Sequence, residues 1–162
     1  MKHALPALVH TDSKILILGT MPGEKSIALQ QYYGNRGNQF WKLLYGIFNE
    51  PFSEDYADRK GLLQRHRIAV WNVLAGCERE GSSDSKIKNE IPNDFINFHN
   101  SYPNISIVFF ESIAARKYYD KHIGAIPGIE YHVLPSTSGL YSVMSFDQKL
   151  TAWKAICKFI GR

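Results

Sequence analysis

The chain has 162 residues, 44% of them hydrophobic and 13% aromatic, with 19 Lys+Arg against 15 Asp+Glu for a net charge of +4. One domain spanning 1–162 is expected at this length, and a chain of roughly 150 residues buries about 68–70% of its unfolded surface without help from disulfides or metals. No apolar run approaches the ~18 residues of a membrane span, the opening residues 1–14 lack the charged-apolar-small order of a secretory signal, and Cys77 and Cys157 are too few for a four-cysteine metal site or a disulfide framework.

What remains is a soluble protein of a reducing compartment, expected to be a cytoplasmic monomer with no membrane partner. The basic excess is mild. It permits a nucleic-acid partner without demonstrating one.

In chain order, residues 14–18 form the first continuous apolar run, and it ends directly on Gly19. Residues 38–48 carry apolar side chains at 40, 41, 43, 44, 47 and 48, the stripe of a helix. A second strand-like run covers 68–74. Pro92 fits the first turn of a helix predicted over 92–99. A third strand is predicted over 105–110, a helix over 112–122, and a fourth strand over 130–134, stopped by Pro135. The last helix is predicted over 146–160, with Leu150, Trp153, Ile156 and Ile160 on one face. Opposite that stripe, Lys149, Lys154, Lys158 and Arg162 read as a solvated face. Residues 51–58 and 78–89 read as loops.

Continuous rather than alternating apolar strands, separated by helices, indicate a buried parallel sheet in an α/β fold. In such a sheet ligands sit beyond the carboxyl ends of the strands. The segments after Leu18, Leu74, Phe110 and Leu134 are therefore the ones to inspect.

After the first strand comes Gly19-Thr20-Met21-Pro22-Gly23-Glu24-Lys25-Ser26. Two glycines around a proline make a tight loop whose backbone can approach a phosphate or a planar ring. It is neither a P-loop nor a dinucleotide fingerprint, and an ordinary strand-to-helix turn is an equal reading.

Residues 30–41 are dense in polar, aromatic and glycine residues. Asn38 reads either as a helix N-cap or as a functional amide. Phe40 and Trp41 begin the helix stripe and read as core, whereas Tyr33, beside Gly34 and Asn35, is the better ring to stack on a base. After the last strand comes Pro135-Ser136-Thr137-Ser138-Gly139-Leu140. Its hydroxyls suit a DNA backbone, and Leu140 at a loop tip suits a base stack; alone, the segment is a solvated turn.

Together, Gly-Thr-Met-Pro-Gly at 19–23, Tyr-Tyr-Gly-Asn-Arg-Gly-Asn-Gln-Phe-Trp at 32–41 and Leu-Pro-Ser-Thr-Ser at 134–138 resemble the uracil-DNA glycosylase superfamily, most of all its hypoxanthine-DNA (deoxyinosine) glycosylase branch. The likeness spans about 14–156. It implies a three-layer α/β/α sandwich with a central four-stranded parallel sheet. It implies a monofunctional hydrolase of base-excision repair, acting on DNA that contains deaminated bases such as hypoxanthine or uracil, with no cofactor and no metal.

By the resemblance, Asn38 falls on the catalytic Asn. Tyr33 falls on the ring that stacks on the base; from the residues themselves, the backbone of Gly19, Thr20, Met21, Pro22 and Gly23 is expected to meet the base, and Asn72, ending a strand near the pocket, to read its edge. Ser26, Ser136, Thr137, Ser138, Gly139 and Leu140 fall on the DNA, the last loop plugging the gap that the flipped base leaves.

The chain departs from relatives at four points, one being Ser138-Gly139-Leu140, where the hypoxanthine branch usually has Ser-Pro-Ala. Met21 stands where mismatch-specific relatives have Asn and many uracil enzymes have Asp. Leu134 stands where strong uracil enzymes often have His. Glu111 ends the third strand where relatives commonly show Asn-Gly. These departures keep a second reading open, a glycosylase-fold module that binds DNA or a nucleotide without turnover. A third, a small-molecule enzyme on a generic α/β fold, is disfavoured by the Tyr33 and Asn38 context.

Overall fold

The structure is a computed structural model, which describes residues 1–160. Four parallel strands form the central sheet: β2 (Ile15–Gly19), β3 (Ile68–Asn72), β6 (Ile107–Phe110) and β7 (Glu130–Val133), in the spatial order β3-β2-β6-β7. The pleat sends alternate side chains to opposite faces. Ile15, Ile17, Ile68, Val70, Ile107 and Phe109 face one apolar layer. Leu16, Leu18, Ala69, Val108 and Phe110 face the other. A sheet buried on both faces explains why these strands read as unbroken apolar runs.

Helices α2 (Phe40–Ile47), α3 (Tyr56–Arg65) and α6 (Phe146–Trp153) contribute Phe40, Leu43, Leu44, Leu62, Leu63 and Trp153 to the first layer. Helices α4 (Phe95–Ser101) and α5 (Ile113–His122) contribute Phe95, Phe98, Ala115 and Tyr119 to the second. The expected α/β/α sandwich with a four-stranded parallel sheet is what the chain forms. No helix among the described residues is long and apolar enough to cross a membrane.

Several boundaries differ from the sequence reading, each for a local reason. The 68–74 run splits: Val73 N–H turns back to the Gly19 carbonyl (2.8 Å), and a new strand β4 (Leu74–Glu78) begins. β4 joins β1 (Lys2–His3) and β5 (Lys88–Pro92) in a small antiparallel sheet, so much of the predicted loop 78–89 is strand or 3₁₀ turn (Asp84–Lys86). Pro92 therefore ends a strand rather than starting a helix. The helix starts at Phe95, with the Asp94 carboxylate accepting from Asn97 N–H (3.0 Å) as its N-cap.

Helix α3 lies largely beyond the predicted 51–58 loop. Its buried residues are confined to Leu62 and Leu63, which left almost no stripe to read. A short α1 (Glu24–Leu29) follows the first loop. The last helix is interrupted: α6 gives way to a 3₁₀ turn (Lys154–Ile156) and then to α7 (Cys157–Ile160). Arg162 lies outside the described residues.

Candidate functional site

The strand order reverses between β2 and β6, and the carboxyl ends of these two strands are in register, Leu18 beside Phe110. This is the switch point at which open α/β sheets place their ligands. A cavity of about 920 Å³ opens there. Its walls come from all the segments singled out in the sequence: Gly19, Thr20, Met21, Pro22, Gly23 and Ser26; Tyr33 and Asn38; Asn72; and Ser136, Ser138, Gly139 and Leu140. Glu111 and the 82–84 segment complete it.

The first loop is fixed through its carbonyls. Those of Gly19 and Thr20 accept from Val73 and Leu74 N–H. The Pro22 carbonyl accepts from the buried Arg79 guanidinium (2.6 Å), and that of Gly23 from Ile27 N–H. Gly19 itself has no room for a side chain. A Cβ there would stand 2.9 Å from Tyr33 Oη and 3.1 Å from Asn72 Nδ2. Backbone, ring hydroxyl and amide thus converge on one point of the cavity floor. Met21 points its thioether into the second apolar layer, so it offers the cavity backbone rather than chemistry.

Tyr33 has φ of +53°, a left-handed conformation that costs a non-glycine residue energy. The strained turn presses one face of its ring onto Phe40, with centroids 3.9 Å apart and planes 13° apart. Its hydroxyl is buried with no hydrogen-bond partner, as is Asn72 Oδ1. Buried polar groups are rarely left unpaired in folded proteins, and both residues line the cavity, where a polar ligand can complete the bonding. Burial raises the Tyr33 hydroxyl pKa well above its ordinary value, so the group stays protonated and can donate.

Asn38 lies just ahead of α2. Its Oδ1 accepts from Phe40 N–H (2.8 Å) and its own N–H donates to the Asn35 carbonyl (3.0 Å). The N-cap of α2 is Gln39, so Asn38 is not the cap; its carbonyl oxygen braces the turn into the helix, and the residue lines the cavity. The bond to Phe40 pins the amide orientation, which prepares the Nδ2 end for a ligand.

Three expectations are corrected at residues around the cavity. Thr137, read as a DNA contact, is fully buried; its hydroxyl donates to Glu111 Oε2 (2.9 Å) and its carbonyl accepts from Gln39 N–H (2.8 Å). Ser26, also read as a DNA contact, is buried with its hydroxyl accepting from Gly34 N–H (3.0 Å), so it braces the Tyr33 turn. Lys149, read as part of a solvated face, is only 1% exposed, and its ammonium donates to Gln39 Oε1 and to the Ser138 carbonyl. A cation reaching inward at one position of an otherwise charged face has no sequence signature.

Ser136 and Ser138 use their hydroxyls inside the loop, accepting from Ser138 and Leu140 N–H. A Cβ on Gly139 would meet the Gly37 carbonyl at 2.4 Å; only glycine lets the two loops touch. Leu140 follows, 94% exposed at the loop tip.

Glu111 escaped the sequence reading as a site residue. Its Oε2 is held by Thr137, and its Oε1 lies 3.6 Å from the Cβ position of Gly19. Burial pushes its carboxyl up to about 7, with the nearby Asp84 adding to the rise and the Thr137 bonds and Lys149 opposing it. The signal available was an acidic residue immediately after a fully apolar strand, at the edge where ligands bind.

With this geometry in view, the sequence pattern of the Uracil DNA glycosylase superfamily matches residues 6–157. The chain belongs to this superfamily. A hypoxanthine DNA glycosylase of Methanosarcina acetivorans is 38% identical over 158 residues, 96% of this chain and 98% of that protein. One from Methanosarcina barkeri is 38% identical over 139 residues, covering 85% and 87%. Among solved structures, the superfamily fold is matched by the solution NMR structure of a protein from Methanosarcina acetivorans, proposed to be a uracil DNA glycosylase. The TM-score is 0.85 at 35% identity, with 99% of each chain covered.

Proposed function

We propose that this superfamily member is a monofunctional DNA glycosylase that hydrolyses the N-glycosidic bond of a flipped, deaminated base, with hypoxanthine foremost and uracil as a second substrate. The observation that carries the proposal is the cavity floor, where the Tyr33 hydroxyl and the Asn72 side-chain amide converge on the Gly19 backbone. Two donors there, the hydroxyl and Asn72 Nδ2, suit the carbonyl that hypoxanthine and uracil carry where adenine and cytosine have an amino group.

The reaction asks for three things: a held base, stabilisation of charge on the departing base, and a positioned water. The base is held by these donors and by the Tyr33 wall. The backbone of 19–23 is rigid through its occupied carbonyls, so its amides form a preorganised environment for developing negative charge. The Asn38 amide supplies positioning, not proton abstraction, since an amide is no base at neutral pH. Flipping costs a few kcal/mol, least for a mispaired base, and exposed Leu140 fills the vacated stack. The reading takes a monomer in a reducing cytoplasm, in keeping with two free cysteines.

The test is alkali-induced strand cleavage of labelled duplexes carrying hypoxanthine, uracil or xanthine after incubation with the protein. Cleavage at hypoxanthine is the expected result. Intact strands for all three bases, with the DNA nonetheless bound, would replace the proposal with a binding module.

A further inference from the structure

The pocket contains a carboxyl group that positioning and carbonyl recognition leave unemployed. Glu111 follows β6 at the switch point. Thr137 Oγ1 donates to Oε2 at 2.9 Å and fixes the side chain, while Oε1 faces the Gly19 backbone where Tyr33 Oη and Asn72 Nδ2 also converge. The groups that face it from the elements packed around it are Asp84 of the 84–86 turn, Tyr33 ahead of α2 and Lys149 of α6. Asp84, itself pushed up by burial, is better accommodated beside a neutral neighbour than beside a charged one. Lys149 is already engaged by Gln39 and Ser138.

Resting on the glycosylase reading above, we propose that Glu111 is a general acid specific to purine bases, delivering the proton on Oε1 to a ring nitrogen, N7 or N3, of the departing hypoxanthine. The C1′–N9 bond breaks with its electron pair moving into the purine, and the ring nitrogen takes the Glu111 proton, so the base leaves neutral. Water oxygen bonds to C1′. The proton this water loses goes to solvent and restores Glu111 to its acid form by exchange. Uracil has no such nitrogen once attached to the sugar; it leaves as an anion spread over its imide and gains only a hydrogen bond from the same group. With its carboxyl near 7, Glu111 is protonated in a large fraction of molecules at neutral pH, the condition for an efficient acid.

Single-turnover excision tests this. Wild-type excision of hypoxanthine is expected to fall about tenfold per pH unit above about 7. Glu111→Gln keeps a donor and the Thr137 contact but has no proton to give; it is expected to lose on the order of 10²-fold or more in hypoxanthine excision and to show a flat profile. Its uracil excision, where present, is expected to change far less. In the unaltered protein, either the 7-deaza or the 3-deaza analogue of deoxyinosine is expected to be excised at least tenfold more slowly, and which one identifies the nitrogen. Parent-like rates on both analogues, or a Glu111→Gln variant with the wild-type pH profile, would overturn the acid role and leave the glycosylase reading standing. Absence of excision by the wild type on every base would overturn both.

Discussion

The ammonium of Lys149 lies 3.1 Å from the carbonyl oxygen of Ser138. A buried cation on α6 thus holds the tip loop that bears Leu140, and through Gln39 Oε1 at 2.8 Å it also holds the start of α2. One side chain couples the loop expected to enter the DNA stack to the turn carrying Asn38.

That coupling is testable by removing the charge and keeping the stem. Lys149→Met leaves the Gln39 and Ser138 oxygens without their donor, at a cost of about 1–3 kcal/mol. Urea unfolding is expected to show that loss. Exposed Lys154 is the control, where Lys154→Ala is expected to stay within about 0.5 kcal/mol of wild type. Equal stabilities for the two variants would mean that Lys149 is solvated after all.

Asn38 has two functions on one amide, and two substitutions separate them. Asn38→Ala loses the acceptor for Phe40 N–H, a hydrogen bond worth about 1 kcal/mol, together with the Nδ2 donor. Asn38→Asp keeps an acceptor for Phe40 and loses only the donor. Excision is expected to fall steeply in both, with DNA binding far less affected, while thermal unfolding shifts only in the Ala variant. An Asp variant with full excision would reduce Asn38 to bracing the turn into α2.

How far the site was legible from the sequence depended on the kind of interaction. The apolar strands and the stripe at 40–48 reflect burial, which is periodic, and the parallel sheet followed from them. The loops after β2 and β7 were found because ligands collect at carboxyl edges. Hidden were choices made by single contacts. Thr137 and Ser26 look like surface hydroxyls until their partners Glu111 and Gly34 are known. Lys149 repeats with other lysines yet points inward. The β1-β4-β5 sheet pairs residues 2 and 77, a long-range match that local propensity does not encode.

Leu140 is exposed in the free protein and is expected to be a wedge in the complex. Leu140→Ala removes no buried surface, so the melting temperature is expected to stay unchanged. Excision from paired duplex is expected to fall, because the flipped base returns faster to an unfilled stack. Excision from single-stranded DNA, which has no stack to refill, is expected to be spared. Equal losses on both substrates would show that Leu140 acts on the base pocket and not on the duplex.

Glu111 also links the pocket to stability. Its carboxyl titrates near 7 in the folded protein against an ordinary 4.5. A carboxyl raised on folding gives its full stabilisation below the unfolded value, and that contribution is lost as pH rises through the folded one. The loss therefore runs from about pH 4.5 to about 7, and above it the folded state carries a buried, disfavoured carboxylate. At 1.36 kcal/mol per unit, the cost at pH 8 is about 3 kcal/mol. Glu111→Gln preserves the Thr137 contact and cannot ionise. Its unfolding free energy in urea is expected to match wild type near pH 4 and to exceed it by up to about 3 kcal/mol at pH 8, while its hypoxanthine excision is lower. A more stable and less active variant is the pattern of a residue kept for chemistry at the expense of the fold. A variant less stable than wild type at pH 8 would mean instead that the ionised carboxylate is held favourably by Thr137 and Lys149.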